Sequence, residues 1–201
     1  MKYESIGRPY GLASCVFFSV LTLLNIYDIV IMMIYGTGGT VALASAFVRI
    51  AAYVTICVFV LMGRRNLFVA LAQFACTAIL AASTFYVVMV SPNFNSLKFL
   101  AAIFVDLLLV LSNLFFALVA LNEAKPRISR SVRTKTMAVV ATVLLSVYSA
   151  LYLLMFVFTG GFSTVFAALV AIGSTLCLFF AYLFLRFWLT ATENYFTNIG
   201  R

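Results

Sequence analysis

Six long apolar runs make up most of this chain, and they constrain its fold more than any other feature. They cover roughly residues 10–35, 41–62, 67–90, 97–121, 137–159 and 162–189. An apolar stretch of about 18 residues or more with few charges is long enough to cross a bilayer as one helix. We therefore expect an all-α, polytopic membrane protein whose six transmembrane helices form one compact bundle, a single domain over residues 1–201.

The composition excludes the common soluble alternatives. Hydrophobic residues make up 66% of the chain and charged residues 9%, whereas a soluble domain carries about 25% charged residues. Histidine is absent, which excludes histidine-ligated haem, histidine-bearing zinc sites and histidine proton relays. The cysteines, Cys15, Cys57, Cys76 and Cys177, are far apart within apolar runs and are predicted to be packing residues. No cofactor and no metal is expected.

The positive charges collect on one side of the predicted spans and indicate the orientation of the chain. That side carries Lys2, Arg8, Arg64, Arg65, Lys125, Arg127, Arg130, Arg133, Lys135 and Arg201, whereas the other side carries only Lys98. Short loops rich in Lys and Arg stay on the cytoplasmic side of a membrane. We therefore expect a multi-pass integral membrane protein with both termini in the cytoplasm or on the equivalent inner side.

The long connection, predicted as a basic inner loop over residues 122–136, bears five of these charges: Lys125, Arg127, Arg130, Arg133 and Lys135. The net charge is +8, and the positive residues that produce it lie mostly between apolar runs. They therefore indicate contact with the bilayer and not a nucleic acid partner. We expect the loop to bind anionic lipid at the inner face. A docking site for a cytoplasmic protein, or another membrane protein as partner, is the alternative.

Three ionisable residues lie inside the predicted spans, where each costs at least a few kcal/mol. They are Asp28, Arg49 and Asp106. At a rise of about 1.5 Å per residue, they lie about 12, 14 and 15 Å below the adjacent outer turns. All three therefore fall at one level, near the middle of the hydrocarbon.

Polar and small residues share the helix faces of these charges. Asn25 precedes Asp28 by three positions, Asn113 follows Asp106 on one stripe, and Gln73 lies on a face with Ala70, Cys76, Thr77 and Thr84. Such faces mark contacts between helices in a membrane bundle. They predict a polar interior site formed by Asp28, Arg49, Asp106, Asn25, Asn113 and Gln73. Some of Tyr27, Tyr53, Tyr86, Tyr148 and Tyr152 are expected to line it, with an aromatic ligand cage as an alternative.

Two acids and one arginine at a single depth do not balance. We predict contact between Asp28 and Arg49, because a five-residue turn joins their helices, with Asp106 nearby as the acid that keeps a proton. The first functional hypothesis is a small-solute transporter, or the membrane-embedded binding subunit of one. The second is a structural or assembly membrane protein whose buried charges fix helix registry. The third is an intramembrane enzyme that uses Asp28 and Asp106, although no catalytic motif supports it.

Overall fold

The computed structural model describes residues 4–36, 39–62, 67–90, 96–124, 134–158 and 165–199. Each of these segments is built around one long α-helix. The helices are α1 Glu4–Tyr35, α2 Thr40–Leu61, α3 Leu67–Val90, α4 Leu97–Ala124, α5 Thr134–Phe158 and α6 Val165–Ile199. All six are long and apolar enough to cross a membrane, so the predicted class and number of spans are confirmed.

Two helices are longer than their apolar runs. α1 begins at Glu4 and not near residue 10, and α6 continues to Ile199 and not to residue 189. Hydropathy reports only the part of a helix that lies in hydrocarbon. Once a helix has formed, adding one more residue to its end costs little, so the helix can extend into polar sequence. Pro9 lies inside α1, beyond its first turn, so the helix lacks one backbone hydrogen bond at this point.

The connection between α4 and α5 is shorter than the predicted loop over residues 122–136. α4 extends to Ala124 and α5 begins at Thr134. The side chains of Asn122 and Thr134 form a hydrogen bond that joins the two helix ends, and Glu123 is buried. Among the loop cations, Lys135 lies half-buried in the first turn of α5. The other four, Lys125, Arg127, Arg130 and Arg133, lie outside the described residues.

The helices form a closed ring in the order of the chain. Each helix packs against the next, α6 packs against α1, and α5 contacts α6 less extensively than the other neighbours contact each other. α4 also touches α6 across the ring. Successive helices run antiparallel, so α1 begins and α6 ends at the same end of the bundle. We call this the termini end, and the other the opposite end.

Small and polar side chains allow the helices to approach closely. The five residues predicted to share a face of α3 are all buried, which confirms that face as a helix contact. Two serines bond across helix pairs: Ser14 donates to the carbonyl of Ala181 at 2.9 Å, and Ser112 donates to that of Ala141 at 3.0 Å. Because lipid offers no hydrophobic drive for association, such packing and bonding hold membrane helices together.

Candidate functional site

A cavity of about 220 Å³ lies inside the ring of helices. Every helix contributes to its wall. The lining residues are Leu21, Leu24, Asn25, Asp28, Arg49, Tyr53, Leu80, Leu109, Asn113, Tyr148, Tyr152, Ser174, Thr175 and Leu178. The cavity is smaller than the pockets of about 300–1,000 Å³ that hold drug-sized ligands. Its size therefore suits a small solute, and its wall combines apolar side chains with a few polar groups.

The cavity brings together four of the six residues predicted from the sequence to form a polar site. Asp28 and Asn25 come from α1, Arg49 from α2 and Asn113 from α4. The reason is the helical repeat: Asn25 and Asp28 are three positions apart, so they lie on one face of α1. Gln73 and Asp106 are not among the lining residues.

Asp28 and Arg49 lie on the wall of this one cavity without a direct ion pair. Asp28 is exposed, contrary to the prediction that it is buried, and Arg49 is half-buried. Arg49 is near enough for its charge to act on the Asp28 carboxylate. Nevertheless, these two described residues do not form a salt bridge, which requires an N···O distance of 4.0 Å or less. The Arg49 Nε donates instead to the carbonyl of Ser45, one turn back on its own helix, at 3.3 Å. This bond draws the guanidinium along α2, so the predicted contact is not formed.

Asn25, which lines the cavity, has an unused acceptor. Its side chain is 6% exposed, and its Nδ2 donates to the carbonyl of Leu21 at 2.7 Å. The Oδ1 atom is buried and has no hydrogen-bond partner among the described residues. A buried acceptor left without a partner costs about 1–3 kcal/mol.

Asp106 is exposed, contrary to the prediction that it belongs to the buried polar interior. The stripe on α4 that carries it is buried farther along, at Asn113, Ala117 and Ala120. Asp106 lies two turns nearer the opposite end, where the same stripe is less closely packed. Its carboxylate still acts electrostatically on Tyr148 and Tyr152. Asp106 therefore stands beside the α5 wall of the cavity and does not line it.

Three of the five tyrosines considered from the sequence line the cavity. Tyr53 comes from α2, and Tyr148 and Tyr152 come from adjacent turns of α5, with ring centroids 5.8 Å apart. Tyr27 and Tyr86 are 44% and 47% exposed and face away from the interior. The cavity wall thus offers aromatic faces and hydroxyl groups beside the charged side chains.

A hydrogen-bond network that the sequence did not indicate lies next to the cavity. The hydroxyl of Tyr182 lies 2.5 Å from Asn113 Oδ1 and 3.1 Å from Gln73 Oε1. Tyr182 is 1% exposed and belongs to α6, so one phenol joins three helices. The available signal was its spacing from Thr175 and Leu178, which puts all three on one face of α6. Gln73 thus belongs to this network and not to the cavity wall.

A closed layer of side chains lies one helical turn from the cavity toward the termini end. Each helix supplies one member, three or four residues from a lining residue. The members, each at most 1% exposed, are Phe18, Ile56, Cys76, Phe116, Leu145 and Tyr182. The Tyr182 ring lies at the middle, with its centroid 5.4 Å from that of Phe18 and 4.8 Å from that of Phe116. The cavity therefore ends at this layer.

The described residues contain no group of three His, Cys, Asp or Glu side chains placed to hold a metal ion. Comparisons with protein-family models, with curated proteins and with solved structures found no significant match. The chain is an integral membrane protein of six helices, and what the cavity does has to be argued from its own chemistry.

Proposed function

We propose that the protein is a small-solute transporter, or the membrane-embedded binding subunit of one, and that the cavity is its solute site. The observation that carries the proposal is the cavity formed by all six helices, with Asp28, Arg49, Asn25 and Asn113 on its wall. Ionisable side chains are costly in hydrocarbon, and those that occur there usually face a water-filled cavity or a pathway. A polar cavity enclosed by membrane-spanning helices is therefore expected of a solute site.

The closed layer gives this cavity the asymmetry that transport requires. It seals the cavity toward the termini end with side chains that are at most 1% exposed. In alternating access, a central site is open to one side of the membrane at a time. Movement of Tyr182, together with the helices that it joins, would open the second side in the transport cycle.

The structural alternative depends on buried charges that pair directly. Asp28 and Arg49 instead face a shared cavity without a direct ion pair. An arrangement that only fixed helix registry would gain most from direct contact, since an uncompensated charge in a dry interior is strongly destabilising. A hydrated cavity removes this difficulty because water or a solute supplies the missing partners.

Access of water to the cavity tests the proposal. In a background without the four native cysteines, Ser174→Cys would place a thiol on the cavity wall. Leu176→Cys is the matched control, because Leu176 lies two positions away on α6 and is 46% exposed on the outside of the bundle. Thiolates, not thiols, react with charged thiol reagents, so a thiol in lipid stays unreactive.

We expect a membrane-impermeant thiol reagent to label Ser174→Cys in sealed vesicles and to leave Leu176→Cys unlabelled. Labelling should come from one side of the membrane, because the closed layer blocks the other. If neither side labels Ser174→Cys in folded protein, the cavity is dry, and the structural alternative replaces transport.

A further inference from the structure

The cavity carries opposite charges on two neighbouring helices. Asp28 lies on α1 and Arg49 on α2, and both line the cavity without a direct ion pair. An arginine side chain in a protein carries a positive charge. The strongest partner for each of these groups is a group of the opposite charge, and a solute can bring both.

The oxygen acceptors are grouped on the α1 wall. Asn25 and Asp28 are three positions apart and share one helix face. The Oδ1 of Asn25 is buried and has no hydrogen-bond partner among the described residues. An ammonium group has three N–H donors and no acceptor. It can therefore serve the Asp28 carboxylate and the Asn25 oxygen together.

The donors are grouped on the α2 wall. Arg49 uses Nε for the carbonyl of Ser45, and its two terminal nitrogens have no hydrogen-bond partner among the described residues. The guanidinium fork binds a carboxylate with well-matched geometry. Tyr53 is four positions farther along α2, so its hydroxyl lies on the same wall. This wall suits an anionic oxygen group.

We propose that the cavity binds a small zwitterion, a solute with one ammonium group and one carboxylate, as in a small amino acid. The ammonium lies against Asp28 and Asn25 on α1, and the carboxylate lies against Arg49 on α2. This inference rests on the proposed solute site and names its substrate class. The volume of about 220 Å³ limits the rest of the solute to a small side chain, and the occupied site gains no net charge.

Thermal unfolding of the whole chain in a non-ionic maltoside detergent tests the proposal. The probes are glycine, L-alanine, β-alanine and γ-aminobutyrate. Propionate and ethylamine serve as matched controls, because each is L-alanine without one of its charged groups. We expect at least one of the amino acids to raise the unfolding temperature in a saturable way. Propionate and ethylamine should need at least about tenfold higher concentration, since each leaves one of the two charged side chains without a partner.

Two variants should give opposite preferences, which a merely structural role would not. Asp28→Asn removes the acid, so it should weaken binding of the amino acid at least about tenfold. Propionate should then bind about as well as the amino acid. Arg49→Gln removes the cation, so it should also weaken binding of the amino acid at least about tenfold. Ethylamine should then bind about as well as the amino acid. Arg186→Gln is the control: Arg186 binds Thr142 at 3.1 Å, does not line the cavity, and should leave the preference unchanged. If Arg49→Gln does not fold, Arg49→Lys should retain the preference for zwitterions with weaker binding.

Five outcomes decide between these possibilities. The expected preference, with its opposite changes in the two variants, supports the zwitterion site. Equal binding of propionate or ethylamine and L-alanine overturns it. Stronger binding of glycerophosphoethanolamine than of any amino acid also overturns it and assigns the site to a lipid headgroup. If no amino acid binds while Ser174→Cys is labelled, the zwitterion is excluded and the proposed solute site stands; an unlabelled Ser174→Cys removes the site itself.

Discussion

The hydroxyl of Tyr182 joins three of the six helices. It lies on α6 and reaches Gln73 on α3 and Asn113 on α4. The sequence revealed the charged residues of the site because a charge inside an apolar run is conspicuous. It did not reveal Tyr182, because the chain has 10 tyrosines and 21 phenylalanines. A phenol inside a span looks like packing until its partners on other helices are known.

Replacing Tyr182 with Phe should lower the free energy of unfolding by about 1–3 kcal/mol, because the side-chain oxygens of Gln73 and Asn113 lose a buried donor. The ring itself is retained, so packing against Phe18 and Phe116 changes little. Tyr27→Phe is the control, since the Tyr27 side chain is 44% exposed on the bundle surface. Denaturant unfolding in mixed micelles measures both variants. Equal stability of Tyr182→Phe and the wild type would show that the hydroxyl does not join these helices.

At the scale of the helices, α1 approaches α2 and α6 closely at Gly11. A Cβ atom added at Gly11 would lie 2.8 Å from Val60 Cγ1 and 2.8 Å from the Trp188 ring. Trp188 is 4% exposed and Val60 5%, so neither side chain has space to move away. Hydropathy located this helix correctly, but it could not show which of its small residues contacts a neighbouring helix. A glycine that faces lipid has the same hydropathy as one at a helix contact.

Gly11→Ala should therefore lower the free energy of unfolding by about 1–3 kcal/mol, the usual cost of overpacking a close contact. Gly173→Ala provides the matched control, because a Cβ there would have no atom within 4 Å. In a helix interior, alanine is favoured over glycine by about 1 kcal/mol, so the control should leave stability unchanged or raise it. Thermal unfolding in detergent compares the two. A destabilised Gly173→Ala and an unaffected Gly11→Ala would contradict the close approach.

At the scale of the whole molecule, the sequence predicted six spans but not their arrangement. In membranes, the lipid-facing and neighbour-facing sides of a helix are both largely apolar, so the pattern does not show which helices meet. The contact between α1 and α6 closes the ring, and that closure creates a cavity with a contribution from every helix. Asp28 and Arg49 reach one cavity because their helices are joined by a short turn, as the sequence predicted. That Ser174 and Thr175 line the cavity could be known only from the closed ring of helices.

The orientation of this ring in the membrane is the last prediction. Nearly all of the Lys and Arg outside the spans belong to the termini end, and positively charged short loops stay inside. We expect a reporter fused after Arg201 to lie on the inner side, and a tag inserted in the turn between α1 and α2 to lie on the outer side. The closed layer lies between the cavity and the termini end, so an impermeant reagent should reach Ser174→Cys only from outside. A reporter after Arg201 on the outer side, with Ser174→Cys labelled from inside, would reverse the orientation and leave the geometry of the cavity intact.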